Sequence, residues 1–518
     1  MKRYGWKIFD RCSQKLFSVN PTYNLHDQLT DMTDSLGNTH FVRDDLYRVT
    51  SVTDPNGFTV SYQYDEAGNL TKITYPGNKE VIYGYDELNR LKTVTNWLGQ
   101  TVTYYYDDAG RLDYFTQFNG IKTDYDYDDA NRLTFLQHKD MAANRTLTRY
   151  TFILDDNGNR ETAKVIQPLE PAISTTNVPY TYNPKKNRLT NVGGTSLTYD
   201  DEGQLQSMGG VNYNFDYEHR LISAGSSAYF YDGSGNRLRA THGGVETRYI
   251  YDLGGNLLAE ADASNNIIAY YVHGLGLLAT ITPDNQTFCY HYDASGNAIA
   301  ITDLSKTIRN TYAYTPFGTI TENESFDQPF TFSGQYGVIQ EPSGLYYMRA
   351  RYYDPVIGRF ISEDPIGFAG GDVNVFAYAG NNPINFVDPW GKDWFRKRGQ
   401  TYAVGRPDVW GFEPGEGAMR VLEDYGPAFH DFGVYHDNTV GYLKGLGVPD
   451  IAANVPTMPP AYVSSVAANT YQTIAGAIAN SAVFVARQLD FGSGSDDERR
   501  YIGGGGGNGG GGINGGGK

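Results

Sequence analysis

The sequence predicts a mainly β protein: a coiled antiparallel sheet of repeated hairpins, shell or solenoid, followed by a small, mostly α C-terminal domain and a disordered Gly-rich tail. Three observations carry this expectation. Tyr-Asp steps recur every 21 residues at Tyr64-Asp65, Tyr85-Asp86, Tyr106-Asp107 and Tyr127-Asp128. Between them, aromatic or β-branched residues alternate with polar ones, the period of a strand with one buried face. The 518 residues include 43 Tyr and 25 Phe but only 19% charged side chains, which disfavours all-helical and disordered chains alike.

The first residues, MKRYGWKIFDRCSQKLF, contain no apolar run of signal-peptide length, so a non-classical export route or surface association is expected. Two cysteines, Cys12 and Cys289, are too few for a disulfide framework or a cysteine-based zinc site. A net charge of −17 repels phosphate backbones and disfavours nucleic acid as a partner for the whole chain. Within one repeat, Tyr62 and Tyr64 share a strand face, Asp65-Glu66-Ala67-Gly68-Asn69 encodes a turn, and Pro76-Gly77-Asn78 encodes the next. Two turns per unit make a hairpin, and hairpins that cannot bury a face alone lean on their neighbours. Five residues after each Tyr stands Asn69, Arg90, Arg111 or Arg132, each followed by Leu. These Asp and Arg side chains are expected to serve turns and cross-strand pairs. Looser copies at Tyr199-Asp200, Tyr231-Asp232, Tyr251-Asp252 and Tyr292-Asp293 extend the scaffold over residues 1–330.

The Tyr-Asp repeat with its Gly-Asn-Arg-Leu turns resembles the YD repeat of the Rhs and teneurin families. Downstream, Gly344-Leu345-Tyr346-Tyr347-Met348-Arg349-Ala350-Arg351-Tyr352-Tyr353-Asp354-Pro355, Gly358-Arg359-Phe360-Ile361-Ser362-Glu363-Asp364-Pro365-Ile366-Gly367 and Asp388-Pro389-Trp390-Gly391 are similar to the Rhs-associated core, here residues 331–392. The resemblance implies a hollow β-shell that encloses a variable toxic domain, plugged by the core, with a cognate immunity protein and a delivery apparatus as partners. Read on their own, Asp364 and Asp388 stand in Asp-Pro-x-Gly turns 24 residues apart. Two carboxyls brought together can share one proton and act as acid and base on a peptide bond; a lone Asp-Pro-x-Gly is an ordinary β-turn. By resemblance, Asp364 and Asp388 match the family's autoproteolytic aspartates, Arg359 lies in the supporting arginine-bearing stretch, and the cut falls at Lys392-Asp393. Lys392 stands where the family usually has Leu.

The Tyr-Asp rhythm stops after Gly391, and residues 393–502 are long enough for one effector domain. His430-Asp431 and His436-Asp437 are two His-Asp steps six residues apart. His430 with Asp431 resembles the active-site helix of prokaryotic phospholipase A2-like enzymes, as general base and calcium ligand. Alternatively Asp431, His436 and Asp437 join His430 around a divalent metal in a nuclease or hydrolase, or all four are solvated residues. No cofactor is expected for the scaffold, and a divalent cation such as calcium for the effector. Residues 451–486 carry no Asp, Glu, Lys, Arg or His, and Val463, Val466, Ile474, Ile478 and Val485 fall near one helical stripe. A packed helix or a membrane-inserting segment fits that stripe, with target-cell lipid as partner. Residues 503–518, with 12 Gly, form the tail. The competing class is a non-enzymatic surface protein whose Tyr-rich sheet mediates adhesion or binds carbohydrate.

Overall fold

The structure, a computed structural model, describes residues 6–9, 15–173, 177–183 and 188–396. Two long antiparallel sheets dominate it: one of 15 strands, from Trp6–Phe9 to Arg160–Ile166, and one of 16, from Tyr180–Tyr182 to Ile320–Asn323. Within each sheet every strand pairs with the next in sequence, because the connecting turns are too short to return a parallel strand.

The repeat fixes its own spacing. Strand Thr59–Tyr64 pairs with Leu70–Tyr75, and that ladder slips by one residue at Tyr64. The same slip occurs at Tyr85, Tyr106 and Tyr127, so each repeat Tyr opens a bulge. In the turn that follows, Asp65 Oδ1 accepts the Asn69 amide at 2.8 Å and the Gly68 amide donates to the Asp65 carbonyl at 3.1 Å. The fourth turn residue needs positive φ, met by Gly68 at 85° and by Asn89 at 57°. Where the fifth residue is Arg it grips the Asp: Arg111 Nε donates to Asp107 Oδ2 at 2.7 Å. Arg111 then reaches the next turn, donating from Nη1 to the Asp128 carbonyl at 3.2 Å and lying 4.9 Å over the Tyr127 ring. Tyr127 in turn donates its hydroxyl back to the Leu112 carbonyl at 3.0 Å. Tyr, Asp, Arg and Leu at fixed offsets therefore fasten each hairpin to its successor.

Strands of the first sheet bury alternate residues, as in Thr59–Tyr64 and Thr101–Tyr106. Their inner face, with Val81, Val94, Val102 and Tyr104, packs on Leu258, Val272, Leu278 and Ile281 of the second sheet. Polar bonds cross the same seam, from Tyr75 Oη to the Tyr271 carbonyl at 3.0 Å and from Gln117 Nε2 to the Leu278 carbonyl at 3.1 Å. The opposite face of the second sheet receives the segment after the repeats, where Ile339, Tyr347, Tyr352 and Ile361 meet Leu277, Tyr290 and Tyr312. Strands Thr287–Tyr292 and Ala298–Asp303 are consequently buried on both faces, and their sequences lose the alternation seen upstream.

That covering segment forms a small sheet of Ile339–Gln340, Tyr346–Met348, Arg351–Asp354 and Arg359–Phe360. Single 3-10 turns follow at Gly367–Gly370 and Ala379–Asn381, and Phe386–Val387 then pairs with Phe395–Arg396. Phe332, Tyr346, Met348, Tyr353, Phe360 and Tyr378 fill its interior. The effector domain and Gly-rich tail expected past this point lie outside the described residues.

Candidate active site

Arg351 opens the strand Arg351–Asp354 and holds two carboxylates with one nitrogen. Its Nη2 lies 2.9 Å from Asp364 Oδ2 and 3.1 Å from Asp388 Oδ2. Nε donates to the Gly391 carbonyl at 2.6 Å, Nη1 donates to the Val375 carbonyl at 3.0 Å, and the guanidinium lies 3.6 Å over the Phe360 ring. Each Asp-Pro-x-Gly segment aims its carboxylate inward. Asp364 Oδ1 accepts the Ile366 amide at 2.9 Å while the Gly367 amide closes the turn on the Asp364 carbonyl at 2.9 Å. Asp388 Oδ1 accepts the Lys392 amide at 3.1 Å. The Arg351 and Asp388 side chains are buried, and that of Asp364 is 7% exposed.

The bond after Lys392 is brought to this pair by two glycines. A Cβ at Gly370 would stand 2.6 Å from Asp364 Oδ2 and equally 2.6 Å from the Lys392 carbonyl oxygen, so both oxygens crowd the same bare α-carbon. Gly391, at φ 65°, presses on the strand before it, where a Cβ would meet the Met348 carbonyl at 2.7 Å. The peptide before Lys392 is therefore held at both ends, Gly391 O on Arg351 and Lys392 N–H on Asp388, and the Lys392 carbonyl oxygen shares the space over Gly370 with Asp364 Oδ2. Beyond the bond, Trp394 packs on the Phe386 ring at 4.4 Å.

Burial governs the protonation of the pair. Desolvation pushes Asp364 up to about 6, against the pull of Arg351. It pushes Asp388 up to about 7, again against Arg351 and with Asp364 and Asp393 adding repulsion. One guanidinium neutralises one carboxylate, so the buried trio is electrically balanced when the two carboxyls share a single proton.

The structure brings together Asp364, Asp388, Lys392 and Asp393 as the sequence proposes, but it replaces the arginine. Arg359 donates from Nη2 to Tyr182 Oη at 3.2 Å and lies 5.1 Å over that ring, so its head group serves packing against the second sheet. Arg351 takes the position between the carboxylates. No sequence signal singles it out, because Arg349-Ala350-Arg351 offers two arginines at a hairpin turn with no spacing that ties either to Asp364. His430, Asp431, His436 and Asp437, and the stripe of Val463, Val466, Ile474, Ile478 and Val485, lie outside the described residues. Among the described residues no group of three or more His, Cys, Asp or Glu is arranged to hold a metal, and no helix is long and apolar enough to cross a membrane.

Sequentially paired hairpins capped by a segment with a buried carboxylate pair define a repeat-sheet scaffold with a built-in candidate cleavage centre. A teneurin YD-shell model matches residues 122–384, half of the chain, and an RHS repeat model matches residues 23–59 and 44–80; the chain belongs to the Rhs and teneurin YD-shell family. The tRNA nuclease WapA of Bacillus subtilis (strain 168) is 33% identical over 267 residues, which are 49% of this chain and 11% of that protein. Double-stranded DNA deaminase toxin A of Burkholderia cenocepacia (strain H111) is 54% identical over 65 residues, 12% of this chain and 4% of that one. The chain thus spans only a small part of these relatives. In the crystal structure of TcdB2-TccC3-TEV the fold is shared at a TM-score of 0.57 and 15% identity, over 75% of this chain and 26% of that one. These relatives correct one expectation. Net charge is summed over a large scaffold, and a protein named for tRNA matches about half of this chain while one named for DNA matches a 65-residue stretch, so acidity of the whole chain does not disfavour a nucleic-acid target.

Proposed function

We propose that this chain is the scaffold and core of a polymorphic toxin that cuts itself once, between Lys392 and Asp393, to free the effector that follows. The single observation that supports this reading most is the crowding of the Lys392 carbonyl oxygen and Asp364 Oδ2 against Gly370, with the Lys392 amide on Asp388. In the proposed step one carboxyl of the pair gives its proton to the Lys392 carbonyl oxygen while the other takes a proton from the attacking water. Collapse breaks the C–N bond, leaving a carboxylate on Lys392 and an amine on Asp393. In this step proximity supplies much of the acceleration, because the flanking Gly391 carbonyl and Lys392 amide are held by Arg351 and Asp388. Arg351 is a positioning residue: it orients both carboxyls and the Gly391 carbonyl.

The freed segment acts on a competitor cell after delivery by a secretion apparatus, and the producing cell holds an immunity protein against it. Relatives that match parts of this chain are named for unlike chemistries, tRNA cleavage and DNA deamination, which favours an interchangeable effector and raises the metal-dependent nuclease reading of His430, Asp431, His436 and Asp437 above the phospholipase one. Intact-mass measurement of the purified chain beside Asp364→Asn and Asp388→Asn tests the cut. Two fragments from the parent and one chain from each variant are expected; an uncut parent, or variants cut like the parent, overturns it. Growth arrest on expressing residues 393–518 inside a bacterium, and none from residues 1–392, tests the effector.

A further inference from the structure

Phe386–Val387 and Phe395–Arg396 are the two arms of a hairpin, with Val387 opposite Phe395 and Phe386 opposite Arg396. The loop between them, residues 388–394, carries both Asp388 and the Lys392-Asp393 bond. On the acyl side of that bond, Gly391 O rests on Arg351 and Lys392 N–H on Asp388. On the leaving side the anchor is a ring. Trp394 meets the Phe386 ring edge to face, with centroids 4.4 Å apart at 64°, and packs on the buried cluster that contains Phe360 and Tyr378. One edge of its indole faces two glycines: a Cβ at Gly371 would stand 3.5 Å from Nε1, and one at Gly380 would stand 3.6 Å from Cε2 and Cζ2. Gly371 directly follows Gly370, which faces the Lys392 carbonyl oxygen. A single Gly-Gly step therefore meets the strand to be cut at two points, the scissile carbonyl and the ring two residues beyond it. Lys392 itself is exposed.

We propose that the core recognises the bond it cuts from the leaving side, with Trp394 as the positioning and specificity-determining residue and the side chain at 392 free to vary. The assignment rests on the self-cleavage proposed above. Held only through Gly391 O and Lys392 N–H, the peptide after Lys392 can still rotate about the Lys392 ψ bond, since each residue keeps two soft dihedrals. A ring seated two residues further on removes that freedom and keeps the carbonyl beside Asp364. The seat reads apolar shape and not the indole N–H, because Nε1 is buried with no hydrogen-bond partner among the described residues.

Time-resolved intact-mass measurement of the full chain after refolding tests the assignment. Trp394→Ala is expected to slow the cut by roughly 10–10²-fold at every pH and to leave both limbs of the pH profile in place, because the bond is misplaced while the carboxyls titrate as before. Trp394→Phe keeps a ring in the seat and drops the unpaired donor, so it is expected to cut within about twofold of the parent. Lys392→Ala is expected to do the same at the maximum of its own pH profile, as an exposed substitution does. Trp394→Leu, expected to be slowed by about tenfold, carries the test if Trp394→Ala no longer unfolds cooperatively. Parent-like cutting by Trp394→Ala or Trp394→Leu, no rescue by Trp394→Phe, or a greater loss from Lys392→Ala than from Trp394→Ala overturns the assignment and leaves the cut itself standing. A parent that stays uncut overturns self-cleavage and the assignment with it.

Discussion

The repeat turns and the core use the same two side chains to opposite ends. In a repeat, one arginine meets one aspartate near solvent: Arg90 on Asp86 at 2.7 Å, Arg111 on Asp107 at 2.7 Å. Each such aspartate also accepts backbone amides, and although desolvation works against it, those bonds and the arginine draw Asp86 and Asp107 below the ordinary carboxylate value. In the core, one arginine serves two aspartates out of water, and both rise. Stoichiometry and burial, rather than residue type, separate a fastening from a candidate acid and base.

The comparison breaks most sharply at the arginines. Arg351→Met leaves two buried carboxyls without their cation and frees the Gly391 carbonyl, so self-cleavage is expected to be lost. Breaking a buried ion pair from one side costs about 3–5 kcal/mol, and the lower end applies here because both carboxyls can take up protons. Denaturant unfolding of Arg351→Met in an Asp388→Asn background, against Asp388→Asn alone, separates the stability loss from the lost cut. Cleavage that survives Arg351→Met removes that residue from the site. Gly370→Ala comes next. Gly370 is not among the positive-φ residues, so alanine carries no backbone strain there, yet its methyl meets the Asp364 carboxylate and the Lys392 carbonyl at once. A displacement of about 1 Å at a reacting centre slows a reaction roughly 10²-fold, which time-resolved mass measurement after refolding would register. Parent-like cutting in that variant would place the scissile bond elsewhere.

How much of this was legible in the sequence follows the same division. The repeats were readable because Tyr64, Asp65, Gly68 and Leu70 act on neighbours one turn or one strand away, and local interactions leave a period. The loss of alternation in Thr287–Tyr292 and Ala298–Asp303 was not, since only the tertiary arrangement puts a partner on both faces of those strands. Asp364 and Asp388 stood out through their matching Asp-Pro-x-Gly context, whereas Arg351 did not. It joins them across 13 and 37 residues through a strand register that no spacing announces. Gly370 carried no signal either, because its role is the absence of a side chain beside two oxygens.

The pH dependence sharpens the contrast through its sign. Below about 6 both carboxyls of the core pair become neutral and above about 7 both become ionised, so cleavage is expected to be fastest between these values and to fall on either side. Lys392 pulls Asp364 down, so Lys392→Leu should move the acid limb to higher pH, read from quenched time courses in a pH series. A rate that climbs steadily into alkali would exclude a shared proton. Stability runs in opposite directions in the two regions. The core pair binds protons more tightly folded than unfolded, so its support for the fold is full below the unfolded value and is lost as pH rises toward about 7. The repeat aspartates bind protons less tightly folded, so theirs is present above the unfolded value and fades as pH falls through the lowered folded one.

The smallest expected effect belongs to the repeat, and it tests whether the fastening is only a fastening. Asp107→Ala removes the acceptor for the Arg111 amide at 2.8 Å and the partner of Arg111 Nε, at a site only partly shielded from water. Partly exposed ion pairs contribute up to about 1 kcal/mol, and one turn hydrogen bond about as much again. Unfolding should therefore shift by about 1–2 kcal/mol while the cleavage rate stays at the parent value, because Asp107 pairs with Arg111 and Arg351 with Asp364 and Asp388, with no bond shared between the two groups. Asp107→Asn should recover most of the loss, since an amide oxygen still caps the turn while the charge is gone. A change in cleavage rate with Asp107→Asn would mean that the repeat and the core are coupled through the sheet, and that the difference between the two uses of aspartate is less local than their geometry shows.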